Sequence, residues 1–226
     1  MNVAKRRGGG APPVVAFLVG LEGSGHHIVE TVVQRIAPHI KNCAYGRRVN
    51  YWRDTEPPAG SSFLTYLDEN PDTHFFGQWS YPAGPEGRTH ASARVSLVKL
   101  VCLNATGAID LRLVYLRREP VDAVCSAVHR YANNDTKAVE RTAEIALESF
   151  VYIDSILNHA EVAYEVIDFA EAMGDMTTMQ APMEFLLRGL ATPEAIAKAI
   201  EAVSDQNHQL FIETGPPGPL GTEADL

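Results

Sequence analysis

Two short stretches carry residue types that can hold an anion. The first is Gly20-Leu21-Glu22-Gly23-Ser24-Gly25, followed at once by His26-His27. Glycines let a chain wrap closely round an oxyanion with its N–H groups turned inward. A helix that starts at the same point adds partial positive charge. The interval from Gly20 to Gly25 is that of the phosphate-cradling pattern G-x-x-x-x-G-K-[ST]. His26-His27 stands where that pattern has Lys and Ser/Thr, so the lysine and the metal-binding hydroxyl of a magnesium-dependent ATPase are missing. Adjacent helical residues do not face one site, which argues against zinc at the two histidines. The candidate binding residues here are Gly23, Ser24, Gly25, His26 and His27.

The second stretch runs Leu113-Val114-Tyr115-Leu116-Arg117-Arg118-Glu119-Pro120-Val121-Asp122-Ala123-Val124-Cys125-Ser126. Its apolar start reads as a strand that delivers Arg118 at its C-terminal end, where open α/β sheets bind ligands. Pro120 suits the first position of a helix, which puts Ser126 two turns later. Arg118 offers a planar fork for a phosphate, and Ser126 can donate a further hydrogen bond.

Together these segments resemble the sulfotransferase family that uses 3′-phosphoadenosine 5′-phosphosulfate (PAPS). Such enzymes carry P-[KR]-[ST]-G-T-T after the first strand, where this chain has EGSGHH. They later carry R-[ND]-P-x-D-x-x-x-S, where this chain has RREPVDAVCS, with the same spacing of eight from Arg118 to Ser126. Val162–Phe169 (VAYEVIDF) is similar to the family's strand ending in a Y-E-D-L-like sequence. The resemblance covers roughly residues 14–190. It implies an α/β, three-layer P-loop-type fold with a central parallel sheet flanked by helices. It also implies PAPS as sulfuryl donor, 3′-phosphoadenosine 5′-phosphate (PAP) as product, and no metal. The acceptor would be a hydroxyl or amine of a small molecule or glycan. Arg118 and Ser126 would hold the 3′-phosphate.

Two departures bear on catalysis. Gly23 stands where most members have Lys or Arg, and His26-His27 stands in place of Thr-Thr. His26 and His27 are therefore the candidate catalytic residues, with charge stabilisation of the leaving phosphate as their expected role. Arg47, Arg48 and Arg53 are other sources of charge. The family's acceptor-side histidine, found in a T-H-x-P context, has no counterpart in Trp79-Ser80-Tyr81-Pro82. Two alternatives remain: a catalytically impaired nucleotide-binding module on the same fold, and a divergent P-loop kinase.

The elements that must position these residues follow from hydrophobic periodicity. Val14–Val19 is a continuous apolar run, as in a strand buried on both faces. Ile28, Val32 and Ile36 recur at helical spacing over 26–37. Further strands are expected at 73–81, 111–116 and 162–167. Helices are expected at 90–105, from Pro120, and at 136–160, 181–190 and 193–204. In the helix over 136–160, Val139, Ala143, Leu147, Phe150, Ile153 and Leu157 are expected on one buried side. Strands alternating with helices imply right-handed crossovers and a parallel sheet. The expected domain spans 14–213, between flexible tails at 1–13 and 214–226. Residues 41–72 and 82–90 read as acceptor-facing loops, with Tyr51 and Trp52 able to stack on an aromatic substrate. Phe75 and Phe76 read as core, and His74 falls at the far end of its strand from the ligand loops.

Bulk properties exclude several classes. A net charge of −9 argues against nucleic acid as a partner. The charge is uneven: residues 1–50 hold seven Lys/Arg and two Asp/Glu, whereas residues 139–226 hold three and sixteen. An anionic ligand is thus favoured in the N-terminal half. The run Val14–Val19 is too short to span a bilayer, and no cleavage-site pattern follows it. Cys43, Cys102 and Cys125 are scattered and odd in number, which suits a reducing, cytoplasmic compartment. Oligomeric state is not legible.

Overall fold

Val14 to Leu21 offers water no polar side chain, and the fold is arranged to hide all of it. In the computed structural model, which describes residues 11–21, 24–39, 43–45, 74–81, 97–131 and 136–214, this stretch is strand β1 (Val14–Leu21). Every residue of β1 is buried. It lies in the middle of a five-stranded sheet with β2 (Cys43–Tyr45), β3 (His74–Tyr81), β4 (Asp110–Arg117) and β5 (Tyr164–Asp168), in the order β2-β3-β1-β4-β5. All four pairings are parallel.

Alternation along β1 splits its apolar residues between two cores. Ala16 and Leu18 join Val114, Leu116, Phe76 and Ile167 on one face. Helices α1 (His26–Ile36), α6 (Gln180–Leu186) and α7 (Pro193–Thr214) cover that face with Val29, Val32, Ile36, Met183, Leu186, Ile196 and Ile200. Val15, Phe17 and Val19 join Leu113 and Tyr115 on the other face. There α2 (Leu97–Ala105) supplies Leu97 and Leu100, and α4 (Thr136–His159) supplies Ile153 and Leu157. Helix α3 (Pro120–Tyr131) follows β4, and α5 (Phe169–Gly174) follows β5. The molecule is thus α/β, with a parallel sheet flanked by helices on both faces. Among the described residues no helix is long and apolar enough to cross a membrane.

Several expected elements shift. The three-residue edge strand β2 falls inside a segment expected to be irregular, because so short a strand shows no periodicity. Helix α7 runs to Thr214, ten residues past its expected end and into the expected tail. Helix α4 buries Ile145, Ala146, Ser149, Ile153 and Leu157, whereas Leu147 is 60% exposed. The physical reason lies in Ser149, whose hydroxyl donates to the Ile145 carbonyl at 2.6 Å. A polar residue satisfied within its own helix can face the sheet, so the apolar stripe does not define the buried side. Phe76 is core as expected. Residues 90–96, both expected acceptor loops apart from 43–45, and most of the two tails lie outside the described residues.

The N-terminal edge of the sheet holds a charged cluster. Arg112 on β4 is 8% exposed and forms an ion pair with Asp110 at 2.7 Å. It also donates to the Arg188 carbonyl oxygen. A guanidinium this buried requires such partners. His74 at the start of β3 accepts a hydrogen bond from the Val14 N–H at its Nδ1, 3.3 Å away. Burial lowers the His74 pKa first, the Arg112 charge lowers it further, and Asp110 opposes them. A histidine depressed in the fold takes its proton first in the unfolded chain. Its contribution to stability is complete above the ordinary value near 6.5 and is lost progressively as pH falls below it. His74→Asn keeps an acceptor for Val14 but cannot titrate. Urea midpoints at about pH 7.5 and about pH 5.5 should fall further for the wild type than for this variant. Equal losses would show that His74 does not couple folding to pH.

Candidate functional site

The strand order reverses direction at one place, between β1 and β4. The chain leaves β1 through α1 toward the β2 edge, and leaves β4 through α3 and α4 toward the β5 edge. Where neighbouring parallel strands send their crossovers in opposite directions, the loops separate and leave a gap beyond the strand ends. Gly20 pairs with Leu116, and Arg117 with Asp168, so the C-terminal ends of β1, β4 and β5 lie side by side there.

The loop after β1 fits closely against this edge. A Cβ at Gly20 would lie 2.6 Å from the Leu116 carbonyl oxygen and 3.3 Å from His26 Cε1. Gly20 thus allows β4 and His26 to approach together. Ser24 turns the chain, its N–H donating to the Leu21 carbonyl at 3.1 Å. Its side chain is 3% exposed, and Oγ has no hydrogen-bond partner among the described residues. Gly25 is the N-cap of α1 with φ 87°, a left-handed conformation. It offers no side chain to the first-turn N–H groups. The two histidines diverge: His26 is buried against Gly20, whereas the His27 side chain is 79% exposed and lies 3.6 Å from Glu30.

The end of β4 is organised by residues that precede and open α5. Asp168 caps α5, its carboxylate accepting from the N–H groups of Ala170 at 3.0 Å and Glu171 at 3.3 Å. Arg117 pairs with the same carboxylate at 3.1 Å. Burial pushes the Asp168 carboxyl up, but the hydrogen bonds from Glu171, Arg117 and Ala170 outweigh it and hold the group below the usual carboxylate range. The next residue, Phe169, puts its ring between the glycine-rich loop and Arg118. Its Cδ2 and Cε2 would lie 2.7 and 2.8 Å from a Cβ at Gly25. Over the ring lies the Arg118 guanidinium, 4.4 Å from the centroid. That distance is within cation–π range. Ser126 is partly buried on α3.

The fold therefore joins Gly25 and Arg118 through one aromatic ring, and it separates His26 from His27. Gly23, Arg47, Arg48, Arg53, Tyr51 and Trp52 lie outside the described residues. Sequence reasoning missed Arg117, Asp168 and Phe169 as parts of this edge. A signal for the cap was present, since Asp168 is followed three residues later by Glu171, the pattern of a helix start. Nothing in the sequence signalled the ring between Gly25 and Arg118, a contact across 144 and 51 residues respectively. Among the described residues no set of three or more His, Cys, Asp or Glu side chains could hold a metal ion. No protein-family model matches the chain, and no curated protein is significantly similar to it.

Three variants probe this geometry. Gly25→Ala forces a left-handed conformation costing about 1–2 kcal/mol and drives a methyl into Phe169. Phe169→Leu should destabilise the wild type but cost less in the Gly25→Ala background, because the smaller side chain relieves the clash. Additive losses in a urea cycle would mean that the ring does not pack on Gly25. Ser24→Ala removes a buried hydroxyl that has no partner, so stability should hold or rise by about 1 kcal/mol. Binding of inorganic pyrophosphate should weaken in the same variant, and a clear loss of stability would show that the hydroxyl is already satisfied.

Proposed function

We propose that this chain is a PAPS-dependent sulfotransferase of the P-loop type, with the nucleotide held across the crevice beyond β1 and β4. The observation that carries the reading is the single Phe169 ring that touches both Gly25 and Arg118, since it unites the two segments on which the family resemblance rests. The residues present suit the ligand. Ser24 has a buried hydroxyl with no partner, and the start of α1 is capped by a glycine rather than a side chain. Both are what an anion at a helix N-terminus would complete.

In this reading the loop residues Gly23, Ser24 and Gly25 hold the 5′-phosphosulfate, while Arg118 and Ser126 hold the 3′-phosphate. The acceptor oxygen or nitrogen attacks sulfur, the bridging S–O bond breaks, and the electron pair leaves with PAP. Negative charge grows on the departing 5′-phosphate, so donors fixed at the loop and the start of α1 supply the main stabilisation. His26, in the first turn of α1 and packed against Gly20, would offset that negative charge as an imidazolium; the acceptor's proton goes to a base not identified among the described residues.

One observation favours a second reading, a nucleotide-binding module without turnover. His26 is buried, and the exposed His27 side chain turns along its own helix toward Glu30, so neither histidine is fixed beside the loop by a contact that would hold it on a phosphate. Turnover of labelled PAPS separates the two readings, and calorimetry with PAP against ADP separates both from a kinase. Arg118→Ala removes a charge-assisted bidentate contact worth about 1.5–3 kcal/mol. PAP binding should weaken at least tenfold by that figure, while adenosine 5′-phosphate, which lacks the 3′-phosphate, should bind nearly as before. Equal losses for both ligands would remove Arg118 from the 3′-phosphate.

A further inference from the structure

We propose that Phe169 is the positioning residue of this site. Its ring sets the distance between the glycine-rich loop and Arg118, and so selects ligands that carry two separate phosphate groups. The inference rests on the PAPS reading above and adds to it a residue outside both ligand motifs.

Three observations support it. The ring occupies the space that a side chain at position 25 would fill, with ring carbons 2.7 and 2.8 Å from the ideal Cβ position. The loop therefore cannot move closer to β5, and the ring marks its limit. On its face the ring carries Arg118 at 4.4 Å. Stacking engages the face of a guanidinium, whereas its N–H donors lie in its plane, so ring contact and phosphate binding do not compete. Finally, the ring takes its place from the sheet rather than from any ligand. The preceding residue, Asp168, is registered against Arg117 in the β4–β5 pairing. Its carboxylate is held by two backbone N–H groups and by the Arg117 side chain. The position of Arg118 is then preset relative to the loop before a nucleotide binds. A ligand with one phosphate at the loop gains nothing from this; a ligand with a second phosphate beyond the ribose does.

The test is the ratio of dissociation constants for adenosine 5′-phosphate and PAP, measured by calorimetry. The full chain is compared as wild type, Phe169→Leu, Phe169→Tyr, Arg118→Ala and the Arg118→Ala/Phe169→Leu double variant. Leucine keeps apolar bulk against Gly25 but has no π face, whereas tyrosine keeps the face. The wild type should prefer PAP by tenfold or more. Phe169→Leu should reduce that preference about three- to tenfold, as expected for loss of a cation–π contact, and Phe169→Tyr should retain it. In the double variant the preference should be no lower than in Arg118→Ala alone, because Phe169 acts through Arg118. A purely structural role would weaken both ligands alike and leave the ratio unchanged. An unchanged ratio in Phe169→Leu, or losses that multiply in the double variant, overturns the role of Phe169 and leaves the PAPS reading standing. A wild type with no preference for PAP overturns that reading and the inference with it.

Discussion

The constraint on which the rest depends is the two-sided burial of β1. A strand with apolar residues on both faces needs a neighbour on each side for its backbone and a helical layer on each face for its side chains. The chain meets this by placing β3 and β4 on either side and by dividing the later helices between the faces. Once β1 is central, its connection to the β2 edge and that of β4 to the β5 edge must diverge. The glycine-rich loop after β1 and the Arg118 segment after β4 both start from the point of that divergence.

At this edge several modest interactions hold one ring in place. The Arg117–Asp168 pair is half exposed on the arginine side, and such pairs contribute about 0–1 kcal/mol. The Asp168 cap is worth about 1 kcal/mol and acts on two backbone groups at once. The stacking of Arg118 on Phe169 adds about 0.5–2 kcal/mol. None dominates, and the cap ranks first because it fixes backbone rather than a long side chain. Geometry is therefore set by β-sheet register and helix capping, and the charged groups are carried on that frame.

The opposite edge of the sheet shows the contrast. Arg112 and Asp110 also form an ion pair, but there the guanidinium is buried and bonded to a backbone carbonyl. Removing Asp110 would leave the buried guanidinium without its carboxylate, a costlier loss than that of an exposed pair. Cation and carboxylate at that end lock strand to loop. At the C-terminal edge the comparable pair, Arg117 and Asp168, lies beside a second arginine, Arg118, that is partly buried against Phe169. Two arginines of strand β4, each paired with a carboxylate, thus serve different ends, according to how far each lies from water.

Periodicity and punctuation in the sequence determined most of the frame. The run at Val14–Val19, the Gly-rich turn, Pro120 at a helix start and the apolar residues within β4 and β5 are local features, and short-range sterics and burial are sufficient to specify them. Other features were legible only in part. Leu147 looks like a core residue and faces outward, because Ser149 satisfies its hydroxyl within its own helix and can take the inward side. Tertiary structure alone decided which of the two histidines is buried, that Ser24 hides a hydroxyl without a partner, and that Phe169 fills the space beside Gly25 under Arg118. Each of these depends on groups from strands distant in the chain meeting at one edge. No pattern of neighbouring residues encodes such a meeting, because it is fixed only when the strands take their order in the sheet.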